Sequence, residues 1–133
     1  MPKKSLKPER VGKHLKEMLE QAIALKDQED FAGALRVLAR TVRRYPDSAS
    51  AWGLRGGIYL YEFERPKEAI PCFRRVTKLS PLSEHGSLGL FHSLWQCGFH
   101  AKALAEMKRF LSVSHSADYA EIAAELIAKG TGP

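Results

Sequence analysis

The chain has 133 residues, is 44% hydrophobic and 27% charged, and carries a formal net charge of +6. That length and apolar fraction suit one domain with its own core, and no apolar run approaches the about 20 residues that cross a bilayer, so neither a membrane partner nor a membrane span is expected. Met1 to Arg10 is charged and proline-containing, so no secretory signal is expected there, and two cysteines, Cys72 and Cys97, are too few for a disulfide framework; the expected setting is reducing and cytoplasmic.

In chain order, Lys3, Lys4, Lys7, Arg10, Lys13 and Lys16 face Glu9 alone, so most of the basicity lies at the start. Residues 1–10 are expected to form a basic, flexible arm that aids solubility, with a lesser option of holding an acidic partner or nucleic acid. Residues 11–130 are expected to form a single helical-repeat domain. Leu15 to Leu25 reads as a first helix, Asp27 to Asp30 as a turn, and Leu35, Leu38 and Val42 as the apolar stripe of a second helix. Tyr45-Pro46-Asp47-Ser48 then stops that helix and offers a cap to the next. Trp52 to Phe63 is apolar nearly all round, Glu64-Arg65-Pro66 is a turn, and Ile70, Phe73 and Val76 mark another amphipathic helix. After the break at Leu79-Ser80-Pro81-Leu82-Ser83 come Leu88 to Trp95, a turn at Gly98, and a helix with Leu104, Met107 and Leu111. Ser116 to Lys129 fits a final helix with Ile122, Leu126 and Ile127 as its buried stripe, and Gly130 as its stop.

Within this succession Ala34, Ala69 and Ala103 recur at intervals of 35 and 34 residues, each followed four residues later by a bulky apolar side chain: Leu38, Phe73 or Met107. A period in that range marks a helical repeat array, and such arrays present a surface to a partner. The middle unit has Trp52, Gly56, Tyr59, Ala69, Phe73, Val76 and Pro81, with one extra residue expected in its internal turn. The first has Met18, Ala22, Leu25, Ala34, Leu38, Thr41 and Pro46; the third keeps Leu90, Leu94, Gly98, Ala103 and Met107 but places Phe91 and Phe110 where small residues are usual and His115 in the proline's place. This pattern resembles the tetratricopeptide repeat family. The resemblance implies an all-α, right-handed α-α superhelix of three helix pairs (about 15–47, 48–82 and 83–115) plus a capping helix, 116–129. It makes Ala22, Ala34, Leu38, Trp52, Gly56, Tyr59, Ala69, Phe73, Pro81, Ala103 and Met107 the repeat-packing positions. Small residues there let helix axes approach, and the large ones fill the space between pairs.

The resemblance also implies a concave wall lined by the first helix of each pair. The partner-binding residues it selects are Leu19, Ile23 and Lys26 from the first unit, Gly53, Gly57, Leu60 and Tyr61 from the second, and Leu88, His92 and Trp95 from the third. Some family members hold acidic chaperone tails in a clamp of Lys, Asn and Arg, but the matching positions here are Leu19, Ile23, Leu54, His85 and Gly89, so that function is not expected. A partly apolar wall suits a peptide or amphipathic helix of another protein, with Tyr61, His92 and Trp95 as anchors. The expected function is thus a non-enzymatic interaction module, adaptor or chaperone-like, similar in size to small chaperones of bacterial secretion systems. The alternative is a structural subunit of a homo-oligomer that buries the same surface. Cations on the second helices, among them Arg36, Arg40, Arg44, Arg74, Arg75, Lys78, Lys108 and Arg109, read as a solvated outer face, and nucleic acid is disfavoured because no aromatics are interleaved there.

No catalytic residue, cofactor or metal is expected. The five histidines are scattered, Cys97 and His100 lack a second ligand pair, and there is no glycine-rich phosphate loop or nucleophile elbow.

Overall fold

A computed structural model describes residues 8–130. Residues 1–7, most of the expected basic arm, lie outside the described residues. The described residues form seven α-helices and no strand: α1 (Pro8–Asp27), α2 (Phe31–Arg44), α3 (Ala49–Gly57), α4 (Pro66–Leu79), α5 (Glu84–Gln96), α6 (His100–Val113) and α7 (Ala117–Gly130). Consecutive helices pack as pairs, α1 on α2, α3 on α4 and α5 on α6, and each pair stacks on the next.

Four of these helices, α2, α3, α5 and α7, start on side-chain caps. The Asp30 carboxylate accepts from Gly33 N–H at 2.9 Å, Ser48 Oγ from Ala51 N–H at 3.1 Å, Ser83 Oγ from Gly86 N–H at 3.0 Å and Ser116 Oγ from Tyr119 N–H at 3.1 Å. Each satisfies an amide that has no partner inside its helix. Helix α1 begins earlier than the expected Leu15: Pro8–Arg10, assigned above to the arm, form its first turn. Proline is tolerated there, Glu9 complements the helix dipole, and the half-buried Val11 extends the stripe of Leu15, Met18 and Ala22 backwards. Between paired helices the chain turns through a left-handed residue, Glu29 (φ 62°), Glu64 (φ 52°) and Gly98 (φ 83°), at the same intervals as the three alanines.

The extra residue of the middle unit is not in the turn. It is absorbed in the first helix, which continues past Gly57 as a π turn over Ile58–Glu62, closed by Phe63 N–H donating to Ile58 C=O at 3.1 Å. A residue added inside a helix advances every later side chain around the axis. Leu60 consequently enters the core at 3% exposure, while Tyr59, the expected packing residue, is half-buried and Tyr61 stands out at 53%.

The buried side chains form two clusters. One, from α1 to α3, is aliphatic: Ala22, Ala34, Val37, Leu38, Val42, Ala51 and Ile58. The other runs from Leu60 to α7 and is rich in rings: Phe73, Phe91, Trp95, Phe110 and Tyr119. Helices α4 and α5 meet closely because Gly86 and Gly89 offer no side chain; a Cβ at Gly89 would overlap the Phe73 ring, and one at Gly86 would overlap Val76. Phe91 and Phe110 hold the last helix. Tyr119 stacks on Phe110 with centroids 5.2 Å apart and meets Phe91 edge-on at 6.1 Å. The stripe of α7 is therefore centred on Tyr119 and Ala123, with the expected Ile122, Leu126 and Ile127 half-buried beside it. Tyr119 also reaches Ser87, whose hydroxyl donates to Glu106 at 2.6 Å, while Arg109 grips both oxygens of Glu106 at 2.8 and 2.7 Å. Tying α5, α6 and α7 in this way satisfies every polar group of the network. Burial pushes the Tyr119 hydroxyl up to about 12, so it stays protonated.

Candidate functional site

The first helices α1, α3 and α5 border a trough. Its larger part, about 470 Å³, is bounded by Ile23, Ser50, Gly53, Leu54, Val76 and His85. A smaller part, about 130 Å³, continues past Gly53 and Gly57 to Lys26, Tyr61 and Glu62. The floor is open because of the two glycines. A Cβ at Gly53 would lie 3.5 Å from the His85 ring, and at Gly57 nothing stands closer than Tyr61 at 4.0 Å, so neither glycine is required by its neighbours. Gly56 differs: its Cβ would come within 3.0 Å of both Cys72 and Phe73, which makes it a packing residue.

Side chains around the trough are held by ring contacts. His85 stands edge-on to Phe73 at 5.8 Å, and His92 meets Tyr61 at 6.4 Å. Burial holds the His92 pKa below its ordinary 6.5 and raises that of Tyr61 above 10.0. Both therefore present neutral, hydrogen-bonding edges near neutral pH. With Ile23 at 41% exposure, this wall combines aliphatic surface and two polar aromatic rings. Such a combination suits an apolar side chain flanked by a few oriented hydrogen bonds.

The expected wall residues divide. Ile23, Lys26, Gly53, Gly57 and Tyr61 border the trough; Leu19 and Leu88 are half-buried against the two cores; His92 joins through Tyr61. Leu60 and Trp95 do not belong to this surface. Leu60 is turned inward by the π turn. Trp95, 8% exposed, stacks on Phe91 at 5.7 Å and on His100 at 4.0 Å, so its ring faces are already occupied. Leu54, named above only as a clamp-equivalent position, borders the trough, and so does Val76, which was not expected there and reaches it from a second helix beside Gly53.

Elsewhere, burial pushes the Cys72 thiol up to about 11, which leaves it protonated rather than nucleophilic. Among the described residues no group of three or more His, Cys, Asp or Glu side chains is placed to hold a metal ion, and no helix is long and apolar enough to cross a membrane.

The fold is a helical solenoid, three stacked pairs and a terminal helix with a trough along the first helices. The family model described as tetratricopeptide repeat matches residues 19–84, and over that span the chain is an array of tetratricopeptide repeats. Members of that family generally bind other proteins. No curated protein matches the chain.

Proposed function

We propose that this protein is a non-enzymatic adaptor or chaperone-like module that binds a peptide or amphipathic helix of another protein in the trough between α1, α3 and α5. The observation that carries this reading is the pair Gly53 and Gly57. Neither is needed for packing, yet the buried Gly53 and the half-buried Gly57 border the trough with no side chain of their own between Ile23, Leu54, His85 and Tyr61. A partner's apolar side chain set against that floor would be flanked by His92 and Tyr61, which supply hydrogen bonds and register. We assign it to a reducing, cytoplasmic setting, a reading supported by its two free thiols, Cys72 and Cys97.

The test is affinity capture from native lysate with wild type, Tyr61→Ala/His92→Ala and Gly53→Leu, each first checked for helical circular dichroism. A partner held by wild type and lost by both folded variants supports the trough. A partner held equally by all three removes function from it. A dimer in dilute solution that becomes monomeric in the variants would favour the homo-oligomer instead.

A further inference from the structure

The outer helices hold a second feature. Residues of α4, of the turn that follows it and of α6 converge on one cleft: Arg74 and Lys102 line the same hollow, and the Arg109 guanidinium donates to the Pro81 carbonyl at 3.1 Å. Between them lie two overlapping hollows of about 430 and 390 Å³ that share Arg74, Leu90, Glu106 and Arg109. Their floor is aliphatic, from Leu90 and Leu94 of α5. Four cations stand around it: Arg74, Lys78, Lys102 and Arg109.

The single acid in the cleft does not offset them. Glu106 is held by Arg109 and Ser87, with its side chain only 10% exposed. Among the described residues Arg74, Lys78 and Lys102 form no ion pair, whereas their neighbour Arg75 is paired with Asp47 at 3.7 Å. The cleft thus has uncompensated positive charge over an apolar floor. A solvated cationic face needs no such floor. The arginines of α2 read that way; these do not.

We propose that the cleft between α4 and α6 is a docking site for an acidic segment of a partner protein, with carboxylates paired to Arg74, Lys78 and Lys102 and an aliphatic side chain on Leu90 and Leu94. Charge complementarity selects the occupant: guanidinium and ammonium groups form strong charge-assisted hydrogen bonds with carboxylates, and complementary charge steers association. Arg74 and Lys78 lie one helical turn apart, about 6 Å along the axis, which matches carboxylates one turn apart on a helix or two residues apart on an extended strand. Nucleic acid fits less well, since no aromatic ring lines the cleft for a base to stack on. This site is separate from the trough, and either can be present without the other.

The experiment is fluorescence anisotropy with a labelled short peptide carrying glutamates one turn apart beside leucines, its Glu→Gln analogue, and a labelled thymidine strand. Wild type is compared with Arg74→Glu/Lys102→Glu, with the milder Lys78→Gln/Lys102→Gln, and with Tyr61→Ala/His92→Ala; both cationic pairs are replaced at exposed positions, and retained thermal unfolding confirms the fold. The acidic peptide is expected to bind wild type and the trough variant alike. Charge reversal, added salt and the Glu→Gln analogue should each weaken it by about tenfold or more. Equal binding by the charge-reversed variant, loss in the trough variant, or tighter binding of the thymidine strand than of the peptide would overturn the proposal.

Discussion

The two halves of the stack solve the same packing problem with different materials. From α1 to α3 the core is alanine against branched aliphatics, and Thr41 is satisfied locally by donating to Val37 C=O at 2.7 Å. From α4 to α7 it is rings set against glycines, with a polar network linking three helices. Aliphatic side chains repack with small adjustments, whereas a ring pressed on a backbone has nowhere to move. The C-terminal half is therefore the more exactly specified, and the trough lies where the two meet.

The largest effect should come from removing the wedge. Phe73, fully buried, sits against the glycine face of α5, and Phe73→Ala is expected to destabilise by about 3–5 kcal/mol and abolish cooperative melting. Leu38→Ala, also fully buried, should cost about 2–5 kcal/mol. Its hydrogen-exchange protection should disappear from α1 and α2 first, since a repeat array unfolds through its nearest-neighbour contacts. Equal loss of protection in α5–α7 would erase the contrast between the halves.

Glycines sharpen it further. Gly89→Ala forces the Phe73 ring aside and should cost about 1–3 kcal/mol, while Gly53→Ala, inside a helix and with room for its methyl, should leave stability unchanged or raise it by up to about 1 kcal/mol in chemical denaturation. A Gly53→Ala penalty as large as that of Gly89→Ala would mean the trough floor is a packing surface after all.

The smallest effect is on pH dependence. Burial lowers the His92 pKa in the folded chain, so the unfolded chain takes up its proton more readily. This residue's contribution is present above the ordinary value of 6.5 and is lost as pH falls through the lowered folded value. Thermal melts between about pH 7 and pH 5 should show a modest decline that His92→Gln flattens. An identical decline in the variant would assign it to other groups.

Much of the fold was legible because alanine at a helix crossing leaves a periodic trace: Ala34, Ala69 and Ala103 are all fully buried. The position of the inserted residue was not, since a residue gained in a turn and one gained in a helix lengthen the interval equally. Trp95 was read as an anchor because a ring on a mostly apolar helix has the same pattern whether it faces a partner or, as here, Phe91 and His100. Tyr119 was missed as the centre of α7 because its partners Phe110 and Ser87 are distant in sequence. The trough was half visible: its glycines could be placed by repeat register, but Val76 enters from another helix, which a register within one helix cannot show.

The π turn has a consequence for how this protein tolerates change in length. In most helices a deletion re-indexes every later side chain and scrambles the core. Between Ile58 and Glu62 the helix holds a residue in surplus, and losing it would return the segment to an ordinary α-helical winding while Pro66 could still open α4 and Ala69 still meet its neighbours. What would change is which aromatic ring looks into the trough. Recognition could thus be altered by chain length alone, with the scaffold left as it stands.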